Sequence, residues 1–145
     1  MKYLLDASAL LPLVTRRGRR LILEASREDL VTTDLAICEA CNSLWKLSTL
    51  LKLISIEDAI DTATTIKNLA IRGVIKPIKF TKIDFSNTLQ IAHKEGLTFY
   101  DASYITTARN TEATLVTEDE KLKKTASKII KTITYSDLES KLTQT

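Results

Sequence analysis

The apolar positions of this chain follow two rhythms, short runs that suit buried strands and longer stretches spaced like one face of a helix. Lys2 to Asp6 reads as a strand that ends on a carboxylate, and Asp29 to Thr33 as a second strand, with a helical stretch around Leu21 to Arg27 between them. Strand, helix, strand in that order predicts a parallel pair. From Asp34 to about Leu51, the residues Ile37, Ala40, Cys41, Leu44, Leu47 and Leu51 keep helical spacing, so one face of that helix belongs to the core. Ser55 supplies a cap for the next helix, whose stripe of Ile56, Ala59, Ile60, Ala63, Ile66 and Ala70 runs to a stop at Gly73. The two helices make a hairpin.

Ile75 to Thr81 carries Pro77 among alternating apolar residues, which suits a short strand near an edge. Thr81 is expected to cap a helix in which Phe85, Leu89 and Ala92 repeat before Gly96 ends it. Tyr100 to Asn110 is the next helix, Ala113 to Thr117 a buried strand, Glu118 to Ala126 a short helix and Ile129 to Thr134 a last strand. This alternation predicts a three-layer α/β/α fold around a central, mainly parallel sheet of about five strands. With 145 residues and no internal repeat, residues 1–145 are expected to form one domain. Three glycines and two prolines leave little room for linkers and none for a glycine-rich phosphate loop.

Hydrophobic residues at 44% and charged residues at 27% exclude a disordered or fibrous chain. The net charge of +3 is small, so local charge says more than the total. Arg16, Arg17, Arg19 and Arg20 form the densest basic stretch and follow the first strand closely. Placed near that strand's carboxyl end, they would be either a solvated loop or a surface that steers the phosphates of RNA. The two cysteines fall inside a helical pattern, so Cys38-Glu39-Ala40-Cys41 reads as packing rather than as a redox pair at an exposed helix start, and reduced thiols are expected. Trp45, on the same helix, reads as packing or an interface anchor. The N-terminus reaches Asp6 too soon for a secretory signal, and no apolar run approaches the roughly 18 residues of a membrane span. A cytoplasmic location without membrane insertion is the expectation.

Four acids recur at one kind of place. Asp6 ends a strand, Glu39 lies early in a helix, Asp101 opens another helix, and Asp119 follows the second apolar strand. Singly, most have ordinary explanations: Asp119 and Glu120 suit the first turn of a helix capped by Thr117, and Asp101 stands three residues after Thr98. Glu39 is harder to explain that way, because Cys38, Ala40 and Cys41 around it are small or apolar and Asn42 follows one turn later. Ligands in open parallel sheets bind outside the carboxyl ends of strands, where Asp6 and Asp119 are expected. Carboxylates gathered there repel, by roughly 4 kcal/mol per pair at about 4 Å and an effective dielectric of about 20. A hard divalent cation such as Mg²⁺ or Mn²⁺, which prefers oxygen ligands, would remove that cost.

Together the four segments resemble a known family. Leu4-Leu5-Asp6-Ala7-Ser8, Glu39-Ala40-Cys41-Asn42-Ser43-Leu44, Tyr100-Asp101-Ala102-Ser103-Tyr104 and Leu115-Val116-Thr117-Glu118-Asp119-Glu120-Lys121-Leu122 resemble, in order, the signature segments of the PIN-domain nucleases, most closely the small VapC-type toxins. The resemblance implies an endoribonuclease, the toxin of a toxin–antitoxin pair, whose Asp6, Glu39, Asp101 and Asp119 hold one or two Mg²⁺ or Mn²⁺ ions. It also implies hydroxyls near the metal at Ser8 and Thr117, a polar contact at Asn42, a homodimer, and a small antitoxin protein lying across the active-site groove. Two positions depart from the pattern: Ser8, where many relatives carry Asn, and Glu118, an extra acid beside the last aspartate. The lone His93 reads as a surface residue, which leaves histidine-based ribonuclease chemistry without support.

Two alternatives stay in view. One is a PIN nuclease of RNA maturation that has no antitoxin. The other, from a different class, is a phosphoacceptor signalling module, but a receiver domain needs paired acids after its first strand and Asp6 has no acidic neighbour. A phosphatase of the haloacid dehalogenase type would need a second aspartate where Ser8 stands.

Overall fold

The strand that begins the chain becomes the middle of the sheet. A computed structural model describes residues 1–144, the side chain of Ser26 apart. Its strands are β1 (Lys2–Leu5), β2 (Asp29–Thr33), β3 (Ile75–Ile78), β4 (Thr114–Val116) and β5 (Thr132–Ile133). They form one sheet in the order β3-β2-β1-β4-β5, with every neighbouring pair parallel. Pro77 lies on β3 at the edge, where a missing N–H interrupts no inner ladder.

The helices are α1 (Ala7–Arg17), α2 (Leu21–Glu24), α3 (Asp34–Trp45), α4 (Ile56–Ile71), α5 (Phe85–Glu95), α6 (Phe99–Asn110), α7 (Glu120–Ala126) and α8 (Tyr135–Leu142). Side-chain alternation along the strands divides the core between the two faces of the sheet. Tyr3 and Leu5 of β1 join Leu30 and Val116 in one cluster with Leu10 and Leu13 of α1, Ile66 and Leu69 of α4, and Leu138 of α8. Leu4, between them, joins Val31 and Leu115 in a second cluster with Tyr104 and Ile105 of α6 and Leu122 of α7. Register keeps these sets in phase, Leu4 standing opposite Val31 and Leu115, and Leu5 opposite Val116. The result is the three-layer α/β/α arrangement.

Several boundaries differ from the sequence reading, each for a local reason. The sequence reading assigns no element to residues 7–17, which include Pro12. A helix forms there nonetheless, because Asp6 caps it by accepting the Ala9 N–H and Leu10, Leu13 and Val14 bury one side. Arg16 and Arg17 therefore occupy the last turn of α1, a helix length of about 16 Å from the carboxyl end of β1, and not beside it. Asp84, not Thr81, caps α5, since residues 80–82 form a 3-10 turn. The final strand shrinks to two residues and is followed by α8, whose start carries a reciprocal capping box between Thr134 and Asp137. Among the described residues no helix is long and apolar enough to cross a membrane.

Because Leu138 is wholly buried between α8 and the sheet, Leu138→Ala is expected to lower unfolding stability by about 2–5 kcal/mol in urea titrations. A loss below about 0.5 kcal/mol, the range of ordinary surface changes, would mean that α8 is not part of the core.

Candidate active site

The strand order reverses at β1. With β2 on one side and β4 on the other, the segments leaving β1 and β4 diverge and open a crevice at the carboxyl edge of the sheet. Asp6 is the first residue past β1, and its N–H donates to the Val116 carbonyl at 3.2 Å, which ties it to the end of β4. Asp119 follows β4 and caps α7 by accepting the Leu122 N–H at 2.9 Å. The helix after β2 carries Glu39, while α6, which leads back into β4, begins at this edge with Asp101 in its first turn. Glu39 lies within electrostatic reach of Asp6, Asp101 and Asp119, and Asp101 within reach of Asp119.

Asp6 is the deepest of the four, at 3% exposure. Ser8 Oγ donates to Oδ1 at 2.7 Å, the Ala9 N–H to the same oxygen at 2.9 Å, and Thr117 Oγ1 to Oδ2 at 2.5 Å. Both hydroxyls thus hold the buried carboxylate in place. Burial nevertheless pushes the Asp6 carboxyl up to about 6, with the three hydrogen bonds opposing and the charge of Glu39 adding to the rise.

Glu39 and Asp101 are half-buried, and both are raised above the usual carboxylate range, first by burial and then by neighbouring acids. The charge of Lys121 and a side-chain hydrogen bond with Thr98 oppose the rise at Asp101. The buried Tyr104 hydroxyl, 3.3 Å from Glu39 Oε2, donates to it. Burial and the charges of Glu39 and Asp6 push the Tyr104 phenol upward, so it stays a protonated donor at neutral pH. The sequence reading assigned no role to Tyr104, although its place three residues after Asp101 puts both on one face of α6. Asn42 is exposed on α3 and makes none of the hydrogen bonds that hold the acids among the described residues.

Among the described residues, no three Asp, Glu, His or Cys side chains are close enough to form a ready-made metal cage. The donor set still suits a hard cation: all four groups are carboxylates, and burial and mutual repulsion raise three of them, which positive charge would reverse. The cysteines flanking Glu39 are an exposed Cys38 and a partly buried Cys41 whose thiol is pushed up by burial, which is unsuited to redox chemistry. His93 is exposed on α5.

A family model described as the PIN domain matches residues 3–128. The chain belongs to the PIN-domain family. It is 35% identical over 123 residues to a Pyrobaculum aerophilum protein named exonuclease VapC9, covering 84% of each chain. The crystal structure of PAE2754 from Pyrobaculum aerophilum is similar at a TM-score of 0.73 and 29% identity, covering 98% of both chains. The fold is also shared with a chain in the structure of VapBC-1 from nontypeable Haemophilus influenzae, at a TM-score of 0.60 and 16% identity over 94% of this chain and 99% of that one. VapBC2 from Rickettsia felis, bound to a DNA fragment from the promoter, gives a TM-score of 0.63 at 15% identity over 92% and 98%.

In this PIN domain, Glu118 is turned away from the acids. Its N–H donates to Ser8 Oγ at 2.8 Å, and its Oε1 accepts the Tyr135 N–H at 2.5 Å, at the start of α8 and beyond the span the family model matches. The Tyr135 hydroxyl donates to Glu139, and its phenol is pushed up to about 12, first by burial and then by that carboxylate. Glu139 also pairs at 3.5 Å with Arg17, which pairs at the same distance with Glu24. Arg16 lies 5.5 Å over the Tyr135 ring, and Arg20 donates to the Arg16 carbonyl at 2.6 Å. Arg16 and Arg17 thus help fasten α8 to α1, although Arg16, like Arg19 and Arg20, is exposed.

Two outcomes are expected. Asp6 stands at about 6 when folded against about 3.9 in an unfolded chain, so the folded state holds the proton more tightly between those values. Stability contributed by Asp6 is therefore full below about pH 4 and lost as pH rises toward 6, a change of about 3 kcal/mol. In chelator, the unfolding free energy of Asp6→Asn should gain on wild type by that order between pH 4 and 7; a pH-independent difference would show that Asp6 is not held out of water. Glu118→Ala should cost about 1–2 kcal/mol in urea unfolding, with Glu118→Gln, which keeps the acceptor, recovering most of it; equal losses in both would show that the bond to Tyr135 contributes nothing.

Proposed function

We propose that this PIN domain is a divalent-metal-dependent ribonuclease that cuts internal phosphodiester bonds of RNA and is the toxin of a VapBC-type pair. What supports the reading is that Asp6, Asp101 and Asp119 all lie within electrostatic reach of Glu39 at the carboxyl edge of the sheet, in a chain that belongs to this family. These four residues would hold one or two Mg²⁺ or Mn²⁺ ions. Bound metal would supply an activated water near neutral pH and a counter-charge for the phosphate. The protein's own part is orientation: Ser8 and Thr117 fix both oxygens of Asp6, and the protonated Tyr104 fixes one oxygen of Glu39. Asn42 is proposed as a polar contact to substrate, and the exposed Arg16, Arg19 and Arg20 as the members of the basic stretch that would meet RNA.

A homodimer and a small antitoxin protein occluding the crevice are proposed as partners. Support comes from the VapBC complexes that share the fold and from two exposed apolar patches. One comprises Trp45, Leu50, Leu51 and Leu53 at the α3–α4 hairpin, and the other Phe80, Phe85, Leu89 and Tyr100 around α5. The relative named an exonuclease makes the position of cutting the point to test.

Circular RNA, which has no ends, decides between internal and terminal attack. Cutting of a circular substrate with Mg²⁺ or Mn²⁺ is expected, abolished by EDTA and reduced at least about a hundredfold by Asp101→Asn. Cutting of linear RNA alone would replace the endonuclease with an exonuclease, and equal cutting by the variant would remove the carboxylates from the reaction.

A further inference from the structure

The PIN acids form a negative centre that a polyanionic strand must approach, so the remainder of the strand has to leave across a flank that tolerates phosphate. One flank is built for this. Lys121, Lys123, Lys124, Lys128 and Lys131 lie on α7 and the turn that follows, and from residue 120 to residue 131 the only acid among them is Glu120. Lys121, Lys124, Lys128 and Lys131 are exposed, and none of the five takes part in the ion pairs of the described residues. A shallow depression here is lined by Glu120, Lys121, Lys123, Lys124 and Ser127.

The band is continuous with the crevice. Asp119 caps α7, and Lys121 in its first turn lies within electrostatic reach of Asp101. From there the helix runs about 10 Å along the flank, and Lys131 stands at its far end, just before β5. Lys123 faces Asp137 of α8, which leaves Lys124, Lys128 and Lys131 as the cations with least competition. Arg16 and Arg17, by contrast, are committed to α8.

We propose that the lysines of α7 and its following turn are a docking track for the phosphodiester backbone of the RNA strand, leading it from the flank into the acidic crevice. The proposal rests on the ribonuclease reading for its substrate but is tested apart from it. A track of this kind reads charge, not sequence.

The test uses the full chain carrying Asp101→Asn and a labelled oligouridylate in Mg²⁺, with affinity measured across a range of salt. Removing three phosphate contacts by Lys124→Gln, Lys128→Gln and Lys131→Gln should lower the slope of log affinity against log salt by about 2, at about 0.7 per contact on a single strand. A charge-matched control, Lys46→Gln, Lys52→Gln and Lys67→Gln, should keep the parent slope. In the background with Asp101 intact, the track variant should raise KM roughly tenfold with kcat at saturating RNA retained. An unchanged slope, or the same drop in the control, overturns the track and leaves the nuclease reading standing. Binding that depends on the track, in a wild-type protein that cuts no RNA, would support the track and overturn the nuclease reading.

Discussion

Everything at this site turns on one unfavourable placement, the carboxylate of Asp6 held out of water beside the central strand. A buried acid is tolerated only where its oxygens find donors, and here Ser8, Ala9 and Thr117 provide them from two different chain segments. Those donors exist because β1 and β4 are adjacent and parallel, so the residues that follow each strand emerge side by side. The hydrogen bonds do not fully offset the cost, and the residual cost is what makes positive charge welcome in the crevice.

The acids also build the fold that carries them. Asp6 caps α1 and Asp119 caps α7, while Asp101 sits in the first turn of α6 under the Thr98 cap. Negative charge at a helix start is favourable on its own account, so three of the four acids occupy positions that a helix would favour whether or not the protein had a reaction to perform. Glu39 differs, since it lies mid-helix with no terminus to serve. Its stabilising partner is Tyr104 on the opposite layer, and this contact brings α3 and α6 into register across the crevice.

A second chain of contacts fastens the crevice from outside. Glu118 joins Ser8 to the start of α8, and Tyr135, Glu139 and Arg17 continue from α8 to α1 and α2. Glu118, between Thr117 and Asp119, is thereby held on two sides, its N–H by Ser8 and its carboxylate by a helix beyond the span the family model matches. Basic residues that look free in one dimension are consumed in this clasp, whereas the lysines of α7 remain in solvent.

The sequence alone determined the alternation of strands and helices and the edge position of the Pro77 strand, and it singled out the four acids as candidates, because periodicity, proline and buried charge act locally. It did not reveal α1, where a cap and a buried face sustain a helix despite Pro12, nor α8, where Tyr135, Leu138 and Leu142 mark an inner side amid polar residues. Tertiary structure alone decided that Arg16 and Arg17 end a helix length from the crevice, that Glu118 bonds to Tyr135 instead of joining the acids, and that Tyr104 reaches Glu39. Those facts depend on which strands become neighbours, and strand order is set by packing on both faces of the sheet, a long-range outcome that local spacing does not encode.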